Sequence, residues 1–429
     1  MKRLAIVSIA RTPFVKAGSH FASLKADELG AMVIREAVAR SGLHPSMIDE
    51  VVMGNVAQPA HAANIARVAA LRAGLPESIP AKTVHRNCAS GMESVTTCMT
   101  QIQIGQSDIM VAGGCESMSN IPLLFQDDMV RWLDRLSKSK SLIDRLNTFS
   151  TFRPRFLRPV IGLLQGLTDP VCDMMMGHTA EVVANDFGIT RSMQDDYALA
   201  SHQKATLAIE TGQFSAELMP VIIPPQYTHT IDRDLGPRAN QTLDALAKLP
   251  PFFNRKTGTV TVGNACPITD GAAAMVLMSD DKAHSLGLPV LGYIRAFAYA
   301  GLDPTRMGLG PVFATAKLLK QTGFAMTDFD LIEMNEAFAA QILGNIAAFE
   351  STQFAQSVLG QSQAVGEIPM DRLNVNGGAI ALGHPVGTSG TRIIMTLLNT
   401  LRQRRLHRGL ATLCVGGGQG GSVIVEVDA

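Results

Sequence analysis

Two stretches of this 429-residue chain, one towards each end, alternate strand-like apolar segments with amphipathic helix-like segments in the same order. In the first stretch, the pattern predicts strands at residues 4–9, 50–54, 83–86 and 109–113, and helices at 26–41 and 62–73. Strands that alternate with helices are typical of a mostly parallel sheet covered on both faces, which is the α/β class.

The second stretch repeats this scheme. It predicts strands at residues 289–298, 330–335, 409–415 and 422–427, the last two as a closing hairpin, and helices at 310–322, 337–349 and 391–404. The segment at 49–55 resembles the segment at 330–336 in its run of acidic, apolar and amide residues. We therefore expect an internal duplication, with a functional site where the two halves meet.

Residues 120–251, between the halves, differ in composition. Within them, residues 131–158 hold eight Lys or Arg against two Asp, and apolar residues recur there at helical spacing. This pattern is typical of the charged face of a surface helix, and equally of a helix that contacts an acidic partner or a membrane. The sequence leaves both alternatives open.

Composition narrows the functional class. The formal net charge is zero, so no overall field favours nucleic acid, and no apolar run reaches the length of a membrane-spanning helix. The six cysteines form no Cys-x-x-Cys pair and fit no zinc spacing, so no metal site is predicted. We expect a cytoplasmic protein.

Three residues are the main candidates for catalysis. Cys88 lies where a strand leads into a helix, and the positive end of that helix predicts a lowered thiol pKa. His384 lies between Gly383 and Pro385, and Cys414 precedes three glycines. Two thiols and one imidazole suit thioester chemistry, in which one thiol carries an acyl group, the imidazole deprotonates it, and the second thiol moves a proton at carbon.

Two further positions support this chemistry. The glycine run after Cys414 exposes backbone N–H groups, and Gly416 is the predicted donor to an oxyanion. Asn335 ends a predicted strand, where it can cap the helix expected from residue 337, hold a water in a second oxyanion pocket, or do both. His85, close to Cys88 in sequence, is interpreted as structural.

Four segments resemble the signature blocks of the thiolases and occur in the same order. They are Asn-Cys-Ala-Ser-Gly at Cys88, Asn-Glu-Ala-Phe-Ala from Asn335, Leu-Gly-His-Pro at His384, and Cys-Val-Gly-Gly-Gly from Cys414. Residues 113–119 and 176–181 match as well, so the resemblance covers nearly the whole chain.

The resemblance implies the thiolase fold. That fold has two βαβαβαββ halves in a five-layered α-β-α-β-α arrangement, with a loop domain that covers coenzyme A. For this chain it predicts a first half at residues 1–119 continued at 252–281, a loop domain at 120–251, and a second half at 282–429.

The resemblance also implies residue roles. Cys88 is the acyl carrier, His384 its base, and Cys414 the acid and base at the acetyl α-carbon. The N–H groups of Cys88 and Gly416, and His384 with a water held by Asn335, stabilise oxyanions. Coenzyme A is a co-substrate, with no permanently bound cofactor, and its predicted contacts are Met176, Cys266 and Phe338.

The chain is most similar to the thiolase β-subunits of fatty-acid β-oxidation complexes, which implies cleavage of 3-oxoacyl-CoA by coenzyme A. A biosynthetic acetoacetyl-CoA thiolase and a non-catalytic acyl-CoA-binding scaffold are the alternatives. Decarboxylating ketoacyl synthases and hydroxymethylglutaryl-CoA synthases share the duplicated fold, but Cys414 favours a thiolase.

The family implies a homodimer or higher oligomer. We also expect a hydratase/dehydrogenase partner or peripheral membrane contact through residues 131–158.

Overall fold

The strands alternate with helices along most of the chain, of which the computed structural model describes residues 3–428. The strands are β1 (Leu4–Arg11), β2 (Val15–Lys16), β3 (Glu50–Gly54), β4 (Ala81–Val84), β5 (Ile109–Ser117), β6 (Leu123–Leu124), β7 (Val160–Ile161), β8 (Thr168–Asp169), β9 (Met174–Met175), β10 (Val221–Ile222), β11 (Thr230–Ile231), β12 (Thr269–Ser279), β13 (Gly292–Gly301), β14 (Leu331–Met334), β15 (Arg408–Val415) and β16 (Gln419–Glu426).

The helices lie between these strands in the chain. They are α1 (Ala26–Ser41), α2 (Ile65–Arg72), α3 (Ser90–Gln103), α4 (Asp127–Lys138), α5 (Leu142–Ser150), α6 (Gly162–Gly166), α7 (Met176–Asp186), α8 (Arg191–Glu210), α9 (Leu243–Ala247), α10 (Asp280–Ser285), α11 (Gly310–Thr322), α12 (Ala339–Glu350), α13 (Thr352–Phe354), α14 (Ala379–Leu382) and α15 (Val386–Arg404).

The main sheet has the strand order β14-β15-β16-β13-β1-β12-β5-β3-β4, with β2 paired to β12. In the first half, β3 and β5 are parallel, and β12 is antiparallel to both β5 and β1. In the second half, β14 and β15 are parallel, and β16 is antiparallel to both β15 and β13. The same pairing pattern therefore occurs twice, which confirms the predicted duplication.

The two halves meet in the middle of this sheet. β1 of the first half pairs with β13 of the second through Leu4 with Ile294, Ala5 with Tyr293 and Ile6 with Gly292. Backbone pairing thus runs without interruption from one half into the other.

Five layers pack around three large hydrophobic cores, the middle one of which contains the central helices and the strand residues that face them from both sides. α1 and α2 pack on one face of the first half's strands, α3 and α15 pack between the strands of both halves, and α11 and α12 cover the second half's strands. Leu29, Met92, Ile393 and Ile342 are fully buried in these cores, and each large apolar side chain contributes about 1.5–3 kcal/mol through burial. The predicted α-β-α-β-α order of layers is confirmed.

Residues 121–168 form a separate compact unit. Its helices α4 and α5 pack around Trp132, whose ring lies 5.6 Å from Phe149 and 5.1 Å from Phe152. The Trp132 Nε1 donates a hydrogen bond to the carbonyl oxygen of Thr148 at 2.9 Å. β6 and β7 pair antiparallel within the same unit.

Among residues 3–428, no helix combines the length and the apolar character needed to cross a membrane.

Candidate active site

Cys88 lies in the loop between β4 and α3, two residues before the helix begins. The Ser90 hydroxyl fixes this loop, because it donates to the carbonyl oxygen of Asn87 at 2.7 Å and accepts from the Arg86 amide at 2.9 Å. Asn87 has a left-handed backbone (φ 43°), and its Nδ2 donates to the carbonyl oxygen of Gly416 at 2.6 Å. This bond connects the Cys88 loop of the first half to the turn after β15 in the second.

The turn after β15 places Cys414 and Gly416 beside that loop. Cys414 is the penultimate residue of β15 and is 1% exposed. Gly417 and Gly418 have φ of 88° and 77°, which glycine adopts at little cost, and the chain reverses there into β16. The Gly416 N–H lies close enough to the sulfur of Cys88 to lower the pKa of that thiol.

Burial controls the acidity of the Cys88 thiol. Burial raises its pKa above the ordinary value, and the N–H groups of Gly416 and of Cys88 itself offset only part of this rise. The predicted lowering of this pKa is therefore wrong, because the loss of water around the thiolate outweighs the nearby N–H groups. Near pH 7 the thiol is neutral, so a neighbouring base has to generate the nucleophile.

Two other thiols share this environment. Burial raises the pKa of Cys414 well above its ordinary value, and negative charge on Cys88 or Cys266 raises it further. Burial raises the pKa of Cys266 to about 12, again with a contribution from charge on Cys88. Because such charge effects weaken with distance, the three thiols lie near one another.

His384 is held by hydrogen bonds at both ring nitrogens. The Ser389 hydroxyl lies 3.1 Å from the carbonyl oxygen of Pro385 and 2.6 Å from the His384 Nδ1. We assign the hydroxyl as the donor to Pro385, so that it accepts from the His384 Nδ1–H. The other nitrogen, Nε2, therefore carries a lone pair, and the Asn335 Nδ2 donates to it at 3.4 Å. Burial, assisted by the positive charge of Arg392, lowers the pKa of His384 to about 3. The imidazole is thus neutral and able to accept a proton.

Helix packing brings Cys88 and His384 to the same place. Each lies two residues before a helix, Cys88 before α3 and His384 before α15. The first turns of these helices are in contact, since the Thr391 hydroxyl donates to the carbonyl oxygen of Gly91 at 2.9 Å. A Cβ on Gly390 would lie 2.3 Å from the amide nitrogen of Met92.

Asn335 follows β14 and points into this site. Its backbone N–H donates to the carbonyl oxygen of Thr412 at 3.0 Å, and its side chain contacts His384 as described. It does not cap α12, because that helix begins at Ala339 with Phe338 at the N-cap position. The capping alternative is therefore wrong. The Asn335 Oδ1 is buried and accepts no hydrogen bond from residues 3–428, which fits a contact with water or substrate.

The three predicted coenzyme A contacts lie around Cys414. Phe338 packs in one apolar cluster with Cys414, and Met176, at the start of α7, packs against that cluster. The Met176 sulfur is 3.1 Å from the position of a Cβ on Gly416. The Cys266 N–H donates to the carbonyl oxygen of Ala337 at 3.0 Å, next to Phe338.

His85 lies outside this arrangement. Its side chain is exposed, and its Nδ1 accepts from the Asn87 amide at 3.4 Å.

Sequence reasoning missed Ser389 and Arg392, which both act on the His384 ring. Ser389 lies in a run of small residues, where a hydroxyl gives little signal. Arg392 does carry a signal, because it directly precedes the apolar residues of a predicted helix, where a buried charge has to be paired. Its Nη1 lies 3.2 Å from the Glu333 carboxylate, and both side chains are almost fully buried.

Within residues 3–428, no group of three or more His, Cys, Asp or Glu side chains is arranged to hold a metal ion.

Family models match nearly the whole chain. The model described as "Thiolase, N-terminal domain" matches residues 4–281, and "Thiolase, C-terminal domain" matches residues 288–427. Among curated relatives, a 3-ketoacyl-CoA thiolase from Yersinia enterocolitica is 42% identical over 427 residues, covering 99% of this chain and 97% of the relative.

Solved structures agree with these matches. An acetyl-CoA acetyltransferase from Bacillus anthracis superposes with a TM-score of 0.87 at 36% identity, covering 99% of both chains. Human mitochondrial 3-ketoacyl-CoA thiolase in complex with CoA superposes with a TM-score of 0.85 at 33% identity, covering 100% of this chain and 98% of that one. The chain described above, with its duplicated fold and its paired thiols, belongs to the thiolase family.

Proposed function

We propose that this protein cleaves a 3-oxoacyl-CoA with coenzyme A, giving acyl-CoA and acetyl-CoA, through an acyl group carried on Cys88. The observation that carries the proposal is that Cys88 and His384 each lie two residues before helices whose first turns are in contact, with the turn after Cys414 bonded to the Cys88 loop. The name of the Yersinia relatives, 3-ketoacyl-CoA thiolase, supports this substrate class. We assign the reaction to fatty-acid β-oxidation on the same resemblance.

The first half-reaction forms the acyl-enzyme. The neutral His384 Nε2 takes the proton of Cys88, and the thiolate attacks the 3-keto carbon. The bond between carbons 2 and 3 then breaks. The departing acetyl-CoA enolate is stabilised by His384 and a water held by Asn335, and Cys414 gives it a proton.

The second half-reaction returns the enzyme to its starting state. The Cys414 thiolate takes the thiol proton of free coenzyme A, whose sulfur attacks the acyl-Cys88 thioester. The tetrahedral oxyanion is stabilised by the N–H groups of Cys88 and Gly416. Cys88 leaves as a thiolate and recovers the proton held by His384. This second step exchanges one thioester for another, so it is readily reversible.

Substitution of the two thiols tests this division of labour. Cys88→Ser is expected to abolish both half-reactions, because serine is a far weaker nucleophile. Cys414→Ala is expected to stop carbon–carbon cleavage and to leave slow exchange of labelled coenzyme A into acyl-CoA. Cys172→Ala, outside the site, is the matched control. Full cleavage by Cys88→Ser contradicts the proposal, as does an equal loss of cleavage and exchange in Cys414→Ala.

A biosynthetic acetoacetyl-CoA thiolase is the second candidate. It is favoured by the acetyl-CoA acetyltransferases of Bacillus anthracis and Syntrophomonas wolfei among the similar structures. Steady-state cleavage rates across 3-oxoacyl-CoA chain lengths separate the two, because an acetoacetyl-CoA enzyme is restricted to the shortest substrate. The scaffold alternative requires dispensable thiols, which alkylation with and without acyl-CoA tests.

The proposal includes the predicted domain organisation, with halves at 1–119 plus 252–281 and at 282–429, and a loop domain at 120–251 over coenzyme A.

It also includes a homodimer or larger assembly. The free edge of β4, at one end of the sheet, supports pairing with a second copy. A cytoplasmic location is supported by six cysteines that are all free thiols.

For residues 121–168 we propose contact with an anionic membrane surface. Leu142, Ile143 and Leu146 on α5 are 78%, 71% and 69% exposed. They lie within the tract of residues 131–158, with its surplus of Lys and Arg. Exposed apolar residues on a short helix in a basic segment are typical of a helix that lies in the lipid interface.

A further inference from the structure

Glu116 is a buried carboxylate that the reaction described above does not use. It lies near the end of β5 and is 0% exposed. Oε1 accepts from the Asn55 side-chain amide and from the Ala57 amide, each at 3.0 Å. Oε2 accepts from the Val56 amide at 3.0 Å and from the Gly387 amide at 2.9 Å. All four acceptor positions of the carboxylate are therefore in use.

The bond to Gly387 crosses from the first half to the second. Gly387 is the second residue of α15, and the N-cap residue of that helix, Pro385, offers no side-chain hydrogen bond. Glu116 therefore supplies the missing cap from more than two hundred residues away. Burial raises the pKa of Glu116 to about 7, against the effect of its four hydrogen-bond donors, and in the ionised form its negative charge faces the positive end of the helix. The approach is close, since a Cβ on Gly387 would lie 2.6 Å from the carboxylate.

The same helical turn carries the partner of the imidazole. Ser389, two residues after Gly387, accepts from the His384 Nδ1–H at 2.6 Å. A shift of this turn would therefore shift the His384 ring relative to Cys88, which belongs to the other half.

We propose that Glu116 is a positioning residue for catalysis, which holds the first turn of α15 and so places His384 against Cys88. This inference rests on the proposed role of His384 as the base. Glu116 touches neither substrate nor reacting atoms and acts only through Gly387 and the segment around it.

If Glu116 acted on Cys88 through its charge alone, removal of that charge would speed catalysis, whereas loss of positioning slows it. The proposal is therefore testable. The pKa of Cys88 is raised mainly by burial, and the charge of Glu116 raises it further. A neutral glutamine at position 116 therefore eases deprotonation of Cys88 if the charge is all that matters. Loss of positioning instead lowers the rate of the chemical steps.

The test compares Glu116→Gln with Glu217→Gln. Glu217 is also fully buried and also contacts α15, through Thr396, but it lies beyond the turn that carries Ser389. We expect Glu116→Gln to lower kcat for 3-oxoacyl-CoA cleavage by about 10- to 100-fold with little change in KM, because a displaced base costs rate. It should also slow the alkylation of Cys88 by iodoacetamide. Glu217→Gln should retain kcat within about twofold, whatever its thermal stability.

Each outcome decides the inference. Equal kcat losses in the two variants overturn it, and so does a faster Glu116→Gln enzyme. If Glu116→Gln does not fold, Glu116→Asp keeps the charge but withdraws it from Gly387. A folded Glu116→Asp enzyme with unchanged kcat likewise overturns the inference. His384→Ala is included because its full activity refutes the proposed base independently of Glu116.

Discussion

At the scale of single residues, the hydrogen bond between Ser389 and His384 decides which ring nitrogen carries the proton. With the Ser389 hydroxyl assigned as donor to the carbonyl oxygen of Pro385, it accepts from the Nδ1–H. Nε2 is left as the proton acceptor, next to Asn335. With burial lowering the pKa of His384 to about 3, the free imidazole remains an available base throughout the neutral range.

Ser389→Ala tests this assignment. It leaves the buried Nδ1–H without a partner, which costs about 1–3 kcal/mol, and we expect kcat for cleavage to fall by about 5- to 150-fold. Ser94→Ala is the matched control, because Ser94 is buried in α3 and bonds only the local carbonyl oxygen of Gly91. Wild-type kcat in Ser389→Ala, or an equal loss in Ser94→Ala, argues against the assignment.

The sequence was sufficient to predict Cys88, His384 and Cys414 as catalytic candidates, because each lies among small residues that allow a substrate to approach closely. It could not reveal Ser389 or Glu116, whose partners are defined by folding. It also gave the wrong sign for the pKa shift of Cys88. A helix terminus can be recognised from sequence, whereas the extent of burial around a sulfur cannot.

At the scale of elements, the contact between α3 and α15 brings the candidate catalytic residues together. Glycine makes that contact possible, since Gly91 and Gly390 lie where the two helices are closest. A backbone atom, which cannot move aside as a side chain can, lies nearest to the position of a Cβ on Gly390.

Gly390→Ala is therefore expected to separate the helices and lower activity. Alanine favours helix by about 0.5–1 kcal/mol over glycine, but overpacking costs about 1–3 kcal/mol, so we expect a net loss of stability. Gly166→Ala is the control, because a Cβ there meets no atom within 4 Å. Thermal unfolding and kcat, measured on both variants, check the prediction. A Gly390→Ala enzyme as stable and active as wild type contradicts it.

Every helix and strand predicted for the two end stretches is present, but several boundaries moved. α15 begins at Val386 instead of residue 391. Its first turn contains glycines, which disfavour helix, but Glu116 bonds the Gly387 amide and α3 packs against this turn. α2 begins at Ile65 because the Asn64 side chain caps it by accepting from the Arg67 amide. Long-range packing and capping set these ends, and periodicity alone does not report them.

At the scale of the whole molecule, the unit at residues 121–168 is set apart by its exposed apolar residues. We expect the full-length protein to float with vesicles containing phosphatidylserine, and to be released by high salt, because basic residues near the surface contribute about 1 kcal/mol each. Replacing Leu142, Ile143 and Leu146 by serine should abolish flotation and leave kcat unchanged.

A second triple variant controls for exposed apolar area in general. Ile104, Leu207 and Val262 are 63%, 60% and 58% exposed and lie outside residues 121–168. Their replacement by serine should leave flotation intact. Equal binding to neutral vesicles, or no binding to either kind, rejects the membrane proposal. Retention on a hydratase/dehydrogenase subunit without vesicle binding assigns the surface to a protein partner instead.

The central position of β1 has a consequence for how the polypeptide is made. Of the strands described, β1 is synthesised first, yet its neighbours in the sheet are β12 and β13. About 270 residues have to follow before β12 is complete, which takes roughly 14–54 s at typical rates of translation. Throughout that interval the eight buried residues of β1 have no neighbouring strand, although α1, which packs on them, has already been made. A newly made chain thus carries an apolar strand with unpaired backbone edges until translation passes Ser279.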